Sequence, residues 1–216
     1  MYSGELEVQA KKKTIAILQE ETNNILNLSR ELAIMTDSII HDNKDGLRKS
    51  YDKMIIIEKD MMVVKKQITR EVIAIGSLMS YIEDLLRTTF FIDDISGYIS
   101  GVSFRLSNIK HRVIKLNFEI ELKRMLNVII DFLFKINEMS RTLTIKPENT
   151  IDLATDVQIE EIDVDKKSKE LTIKALDKIT PPKDLILFKV ATECIEGMVD
   201  KCQQAMNSFT ILALSI

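Results

Sequence analysis

Glycine and proline are scarce in this sequence, at six and three of 216 residues, against average usages of about 7% and 5%. With so few backbone breakers the chain has the composition of long helices. Strand-like alternation is nowhere sustained. Tryptophan is absent, and ten methionines help to fill the apolar positions. Cysteine is limited to Cys194 and Cys202, eight residues apart on one helical stretch. That spacing suits two buried reduced thiols and not a disulfide, and with 45% hydrophobic residues the chain can build a core without covalent staples.

Charge of one sign is also lacking. Thirty basic and 33 acidic residues leave a net charge of −3, interleaved with the apolar residues and without a basic block, which argues against nucleic acid as a partner. No uncharged run reaches the roughly 18 residues of a membrane span, and the amino terminus has no basic region followed by an apolar one. A soluble, cytoplasmic protein, peripheral to a membrane at most, is expected. His41 and His111 are the only histidines, and Ser38 and Asn108 stand three residues before them. The Glu-x-x-His pattern of di-iron bundles is therefore missing. No nucleophile motif or phosphate-cradling glycine loop occurs either, so the chain reads as a non-enzyme.

What is present is helical periodicity. Ile15, Leu18, Ile25, Leu26, Leu32 and Ile39 recur at spacings of three and four, predicting a first helix over about 9–40. His41 to Gly46 is turn chemistry, and a second helix is expected from Leu47 to Ile75. Gly76 and Ser77 break it. A third helix should start at Leu78 or Met79 and reach Asn108, and a fourth should run from a junction near His111 to Thr144. The loop at Pro147 then precedes a fifth, over about 151–178, which Pro181 and Pro182 stop before a sixth runs to the end. Met54, Met61, Met62, Met198 and Met206 fall at apolar spacings and are read as core.

Shifting the chain by 103 residues superimposes these breaks without a gap and aligns Glu58 with Glu161, Asp60 with Asp163, Lys66 with Lys169, Ile68 with Leu171, Ile92 with Ile195, Asp93 with Glu196 and Leu106 with Phe209. A shared register of breaks, apolar positions and acids predicts a duplicated three-helix unit. The expected fold is all-α: six long helices in two tandem pseudo-symmetric three-helix bundles, residues 1–111 and 112–216, forming one compact unit.

At 100° per residue, Val157, Val164, Leu171 and Ala175 share an apolar face of the fifth helix, while Glu161, Asp165, Ser168 and Thr172 form a polar stripe along its edge. Glu196, Asp200, Gln203 and Asn207 repeat those spacings on the sixth helix. Carboxylates four residues apart repel each other, and near an apolar core each unpaired ion costs roughly several kcal/mol. Four facing acids must therefore be protonated, paired with a cation such as Lys189, or neutralised by a metal, for which hard oxygen ligands suit magnesium, calcium, manganese or iron. A solvated groove between bundles, with no metal, explains the same stripe.

The runs Ile92-Asp93-Asp94-Ile95-Ser96-Gly97-Tyr98-Ile99 and Glu196-Gly197-Met198-Val199-Asp200-Lys201-Cys202 resemble the third-helix motifs of PhoU-like proteins, most closely the Pit accessory branch. Glu160-Glu161-Ile162-Asp163-Val164-Asp165 resembles the second-helix Glu-x-x-x-Asp motif of the same family. The resemblance implies two pseudo-symmetric three-helix bundles, a metal or iron cluster on acidic pairs, and regulation of phosphate uptake. PhoU proteins act with phosphate ABC transporters and histidine kinases, and the Pit accessory branch with Pit-type phosphate permeases. The resemblance thus points to a phosphate transporter or a phosphate-signalling protein as partner, and a homo-oligomer is compatible with it.

Carried onto this chain, the metal ligands are Glu161, Asp165, Glu196 and Asp200. The first repeat keeps only Glu58 and Asp93, because Met62 and Gly97 replace the second acid of each pair and Lys65 stands where Ser168 sits in the other copy. Two other readings stay open: a structural interaction module without metal, and a carboxylate-bridged metalloenzyme.

Overall fold

A computed structural model describes the backbone of residues 2–75, 80–154 and 157–216; the side chains of residues 1–4, 6–7, 75–79 and 155–161 lie outside the described set. All regular structure among the described residues is α-helix: α1 Tyr2–Ile40, α2 Lys44–Ile75, α3 Ile82–Ser107, α4 His111–Asn117, α5 Glu119–Ile145, α6 Pro147–Leu153, α7 Val157–Lys178 and α8 Pro182–Ser215. Six are long, as expected, and two are single short segments at the joints.

The joints differ from the sequence expectation for local reasons. The α1–α2 turn is tighter than the run from His41 to Gly46. Asn43 N–H donates to Ser38 O at 2.8 Å and Asp42 N–H to Ile39 O at 3.2 Å, while Asp42 takes a φ of 55°. This paired pattern around a left-handed residue closes α1. Asn43 Oδ1 accepts from Gly46 N–H at 3.0 Å and so caps α2, which begins inside the expected turn. Pro147, taken as part of a loop, instead occupies the first turn of α6, where a missing N–H is harmless. The fourth helix breaks at Phe118, whose ring leaves the helical path to meet Phe188 of α8 at a centroid distance of 4.2 Å. The expected start of the third helix at Leu78 or Met79 lies outside the described residues.

The helices divide unequally between centre and flank. α3 makes its most extensive contact with α8, α1 packs on α5 and α3, and α5 on α8, whereas α2 lies mainly on α1 and α7 mainly on α8. Four helices thus surround the main apolar core, drawn from both ends of the chain and including Leu18, Leu32, Ile99, Phe132, Phe188 and Phe209, while Ile17, Val64 and Ile68 form a smaller cluster between α1 and α2. The paired apolar positions Ile68 and Leu171, Ile92 and Ile195, and Leu106 and Phe209 are all buried. Four of the five methionines read as core are buried, but Met62 is 65% exposed on α2. Its neighbour Met61 already occupies the inward position, and the two lie 100° apart.

Small polar residues fix the register where central helices meet. Thr22 and Ser140 hydroxyls lie 2.9 Å apart, with the Asn137 amide donating to Asn23 at 2.8 Å across the α1–α5 contact. Thr88 and Ser208 do the same at 2.8 Å between α3 and α8. Such buried bonds leave no penalty only in one alignment of the helices. Cys202 is fully buried and Cys194 partly so, both as free thiols. No helix among the described residues is long and apolar enough to cross a membrane.

Candidate carboxylate site between α7 and α8

α7 presents Val164, Leu171 and Ala175 to the core. One residue beyond this face, Asp165 and Ser168 reach the edge of the α7–α8 contact, where Glu196 and Asp200 arrive from α8. Here the Asp165 and Glu196 carboxyl groups face each other within hydrogen-bonding reach, and the buried Ser168 hydroxyl donates to Glu196. Glu196 is held above the ordinary carboxyl range by burial first, against the Ser168 bond, with the negative charges of Asp165 and Asp200 pushing the same way as burial. Asp165 is held below its ordinary range, chiefly by the Lys169 ammonium at 2.6 Å. Of the two facing carboxyls, Glu196 is the one that keeps a proton longer.

Of the four sequence-derived ligands, Asp165 and Glu196 face each other, and Asp200 lies at the exposed margin. The side chain of Glu161 lies outside the described residues. Among the described residues no three His, Cys, Asp or Glu side chains form a ligand set for a metal ion. Lys189, expected to supply positive charge to the stripe, pairs instead with Glu193 one turn away. The cation at the site is Lys169, which the sequence reading aligned with Lys66 without giving it a role. Its reach to Asp165 is the ordinary i, i+4 geometry and was legible from spacing alone.

The corresponding edge of the first three helices is built differently. Lys65 of α2 hydrogen-bonds Asp93 of α3, and Ser100 donates to Glu58. Both remnant acids are thus supplied with internal partners. Behind them is Glu21 of α1, which sequence reading missed. It is 1% exposed, its Oε2 has no hydrogen-bond partner, and burial followed by repulsion from Asp93 raises its pKa to about 8, with Lys65 pulling the other way. Glu21 sits among apolar neighbours of the long first helix, at a position that gives no sign of acid chemistry by spacing.

The architecture defines a class: an all-α bundle in which two outer helices each flank a shared four-helix core. No protein-family model matches the chain, and no curated protein matches it. Solved structures do. One is a PhoU-like phosphate regulatory protein from Shewanella oneidensis MR-1, with a TM-score of 0.67 and 18% identity over 94% of this chain and 100% of that one. Another PhoU-like protein of the same organism matches with a TM-score of 0.67 and 17% identity, over 94% of this chain and 97% of its own. The chain has the PhoU-like helical fold.

Proposed function

We propose that this chain is a non-enzymatic regulator of inorganic phosphate transport. It acts at the cytoplasmic face through protein–protein contact with a phosphate transporter of the Pit type, as a Pit accessory protein. The single observation that carries the reading is a fold shared end to end with PhoU-like proteins, one of them a phosphate regulatory protein. The motifs around Asp93 and Glu196 support the same direction. Residues 1–111 and 112–216 are its two repeats. Deleting the gene is expected to change phosphate uptake under scarcity or plenty. Unchanged uptake in both conditions overturns the assignment.

The second repeat is proposed to hold a divalent metal or iron cluster on Glu161, Asp165, Glu196 and Asp200. Support comes from the donor chemistry, since Asp165 and Glu196 face each other with Asp200 at the margin and carboxylate oxygens are hard ligands. The first repeat, with Lys65 on Asp93, is not expected to hold one. Metal analysis of purified protein is expected to find a stoichiometric ion that Glu161→Gln with Glu196→Gln removes. Absence of such an ion favours the structural module, and dioxygen or phosphoester turnover by the loaded protein favours the metalloenzyme.

A further inference from the structure

Charge is unevenly placed along this chain. α2 carries eight Lys and Arg against five Asp and Glu, a net +3 in a chain of −3, whereas its counterpart α7 has five against six, a net −1. Met54, Met61, Val64 and Ile68 turn one side of α2 to the interior. At 100° per residue Lys59, Lys66 and Arg70 fall within about 40° of one another on the opposite side, and all three are exposed. The other charges of α2 are largely accounted for. Lys53 pairs with Glu31, Lys65 with Asp93 and Glu71 with Lys13, Arg48 lies 4.0 Å from Asp52, and Glu58 accepts from Ser100. Asp45 sits in the first turn, and Asp60 is about 100° round the helix from Lys59. Among the described residues no acid pairs with Lys59, Lys66 or Arg70. On α7, by contrast, Lys167, Lys169 and Lys174 each have a carboxylate partner.

Exposed apolar side chains flank the unpaired row. Met62 and Ile73 stand beside it on α2, and Phe90 and Phe104, 54% and 58% exposed, on α3. Printed contacts join the two helices along this edge: Tyr51 and Phe104 share a pocket with Lys44 and Arg48 at one end, and Lys65 Nζ is 5.9 Å from the Phe90 centroid further along. From Lys44 to Arg70 the face runs for about 40 Å of helix. A protein partner's hot spot gathers its apolar anchors at one centre, whereas these are strung along two helices, each beside a cation. A second copy of the chain would set like charge against like. A flat anionic surface meets both features, since cations rest on its headgroups while single apolar side chains enter below them.

We infer that the α2–α3 face docks on an anionic lipid surface, with Lys59, Lys66 and Arg70 against the headgroups and Met62, Phe90 and Phe104 entering the acyl boundary. The inference stands on the charge and exposure of this face and not on the phosphate-transport reading. The test is co-sedimentation of the full chain with vesicles of phosphatidylcholine alone or with about one-third phosphatidylglycerol. Binding is expected only to the anionic vesicles and should fall as salt is raised. Lys59→Gln with Lys66→Gln and Arg70→Gln should weaken it about a hundredfold, and Met62→Ser with Phe104→Ser about tenfold. All five positions are exposed, so circular dichroism should show the fold intact. Removing three cations of the other half, Lys166→Gln with Lys178→Gln and Lys183→Gln, should change binding by less than about threefold. No binding to anionic vesicles, equal binding to neutral ones, equal loss from the two charge sets, or full binding by the apolar variant overturns the inference. Retention on poly-glutamate without retention on vesicles overturns it in favour of an acidic protein partner.

Discussion

At positions related by 103 residues, the two outer edges of the bundle meet the same electrostatic problem with different chemistry. In the first half Lys65 bonds Asp93, and in the second Ser168 bonds Glu196 with Asp165 alongside. A lysine carries its own neutralising charge to the acid. A serine donates a hydrogen bond but no charge, so in the second half Asp165 is neutralised by Lys169 of its own helix while Glu196 faces it with a raised proton affinity. One residue at one register position therefore separates an acid paired with a lysine from an acid beside a serine. The lysine-paired edge still holds a buried acid, Glu21, whose unpartnered oxygen sits within the field of both Asp93 and Lys65.

The most drastic way to break this comparison is to convert one half into the other. Met62→Asp with Lys65→Ser gives α2 the acid and hydroxyl spacing of α7, and the variant is expected to carry one more metal equivalent per chain than the parent by elemental analysis. No gain would mean that these two positions are not what separates the halves. Next in size is Glu21→Gln. With a pKa of about 8 against the ordinary 4.5, folded Glu21 keeps its proton where the unfolded chain has lost it. Stability therefore is fully present below pH 4.5 and falls as pH rises to 8, by up to about 1.4 kcal/mol per unit. The glutamine variant should be more stable at pH 8 by on the order of 4 kcal/mol and flatter across that window in urea titrations. An unchanged pH slope would remove Glu21 from the comparison.

Two glycines of the α3–α8 seam sharpen it further. Gly197→Ala drives a Cβ to 2.8 Å from the Tyr98 ring, and swinging that ring aside should cost about 1 kcal/mol. Tyr98→Ala should relieve the clash in a double-mutant cycle. Gly97→Ala meets nothing and should raise stability by about 0.5–1 kcal/mol through the helix backbone alone. Equal effects at both sites would show that the seam is not close-packed at Gly197. The smallest shift is expected for Glu196→Gln in metal-free protein. Because the Glu196 pKa is raised in the folded state, its neutral isostere should slightly stabilise the protein above the ordinary glutamate range and leave it unchanged in acid.

Sequence spacing alone located the six long helices, because a buried stripe must recur every three to four residues whatever it packs against. Asp165, Glu196 and Asp200 were legible as one edge for the same reason: two helices carried the same polar stripe beside an apolar face. Glu21 was not, since one acid among the apolar residues of α1 repeats nowhere and its burial depends on α2 and α3. Lys169 and Lys189 each pair with an acid one turn away on their own helix, and what the packing of α7 on α8 decides is that the Asp165 of the first pair faces Glu196.

By itself, then, the sequence determined an all-helical chain, the order of its principal helices, and the loss of the second acids at Met62 and Gly97, since each is a matter of local spacing and residue identity. Only the tertiary structure decided that α1, α3, α5 and α8 share one core with α2 and α7 outside. It alone placed Asp165 against Glu196, and the Tyr98 ring against Gly197. Those contacts join residues up to a hundred positions apart, and the energy that selects them comes from apolar surface and buried polar groups meeting between helices, which no pattern within one helix encodes.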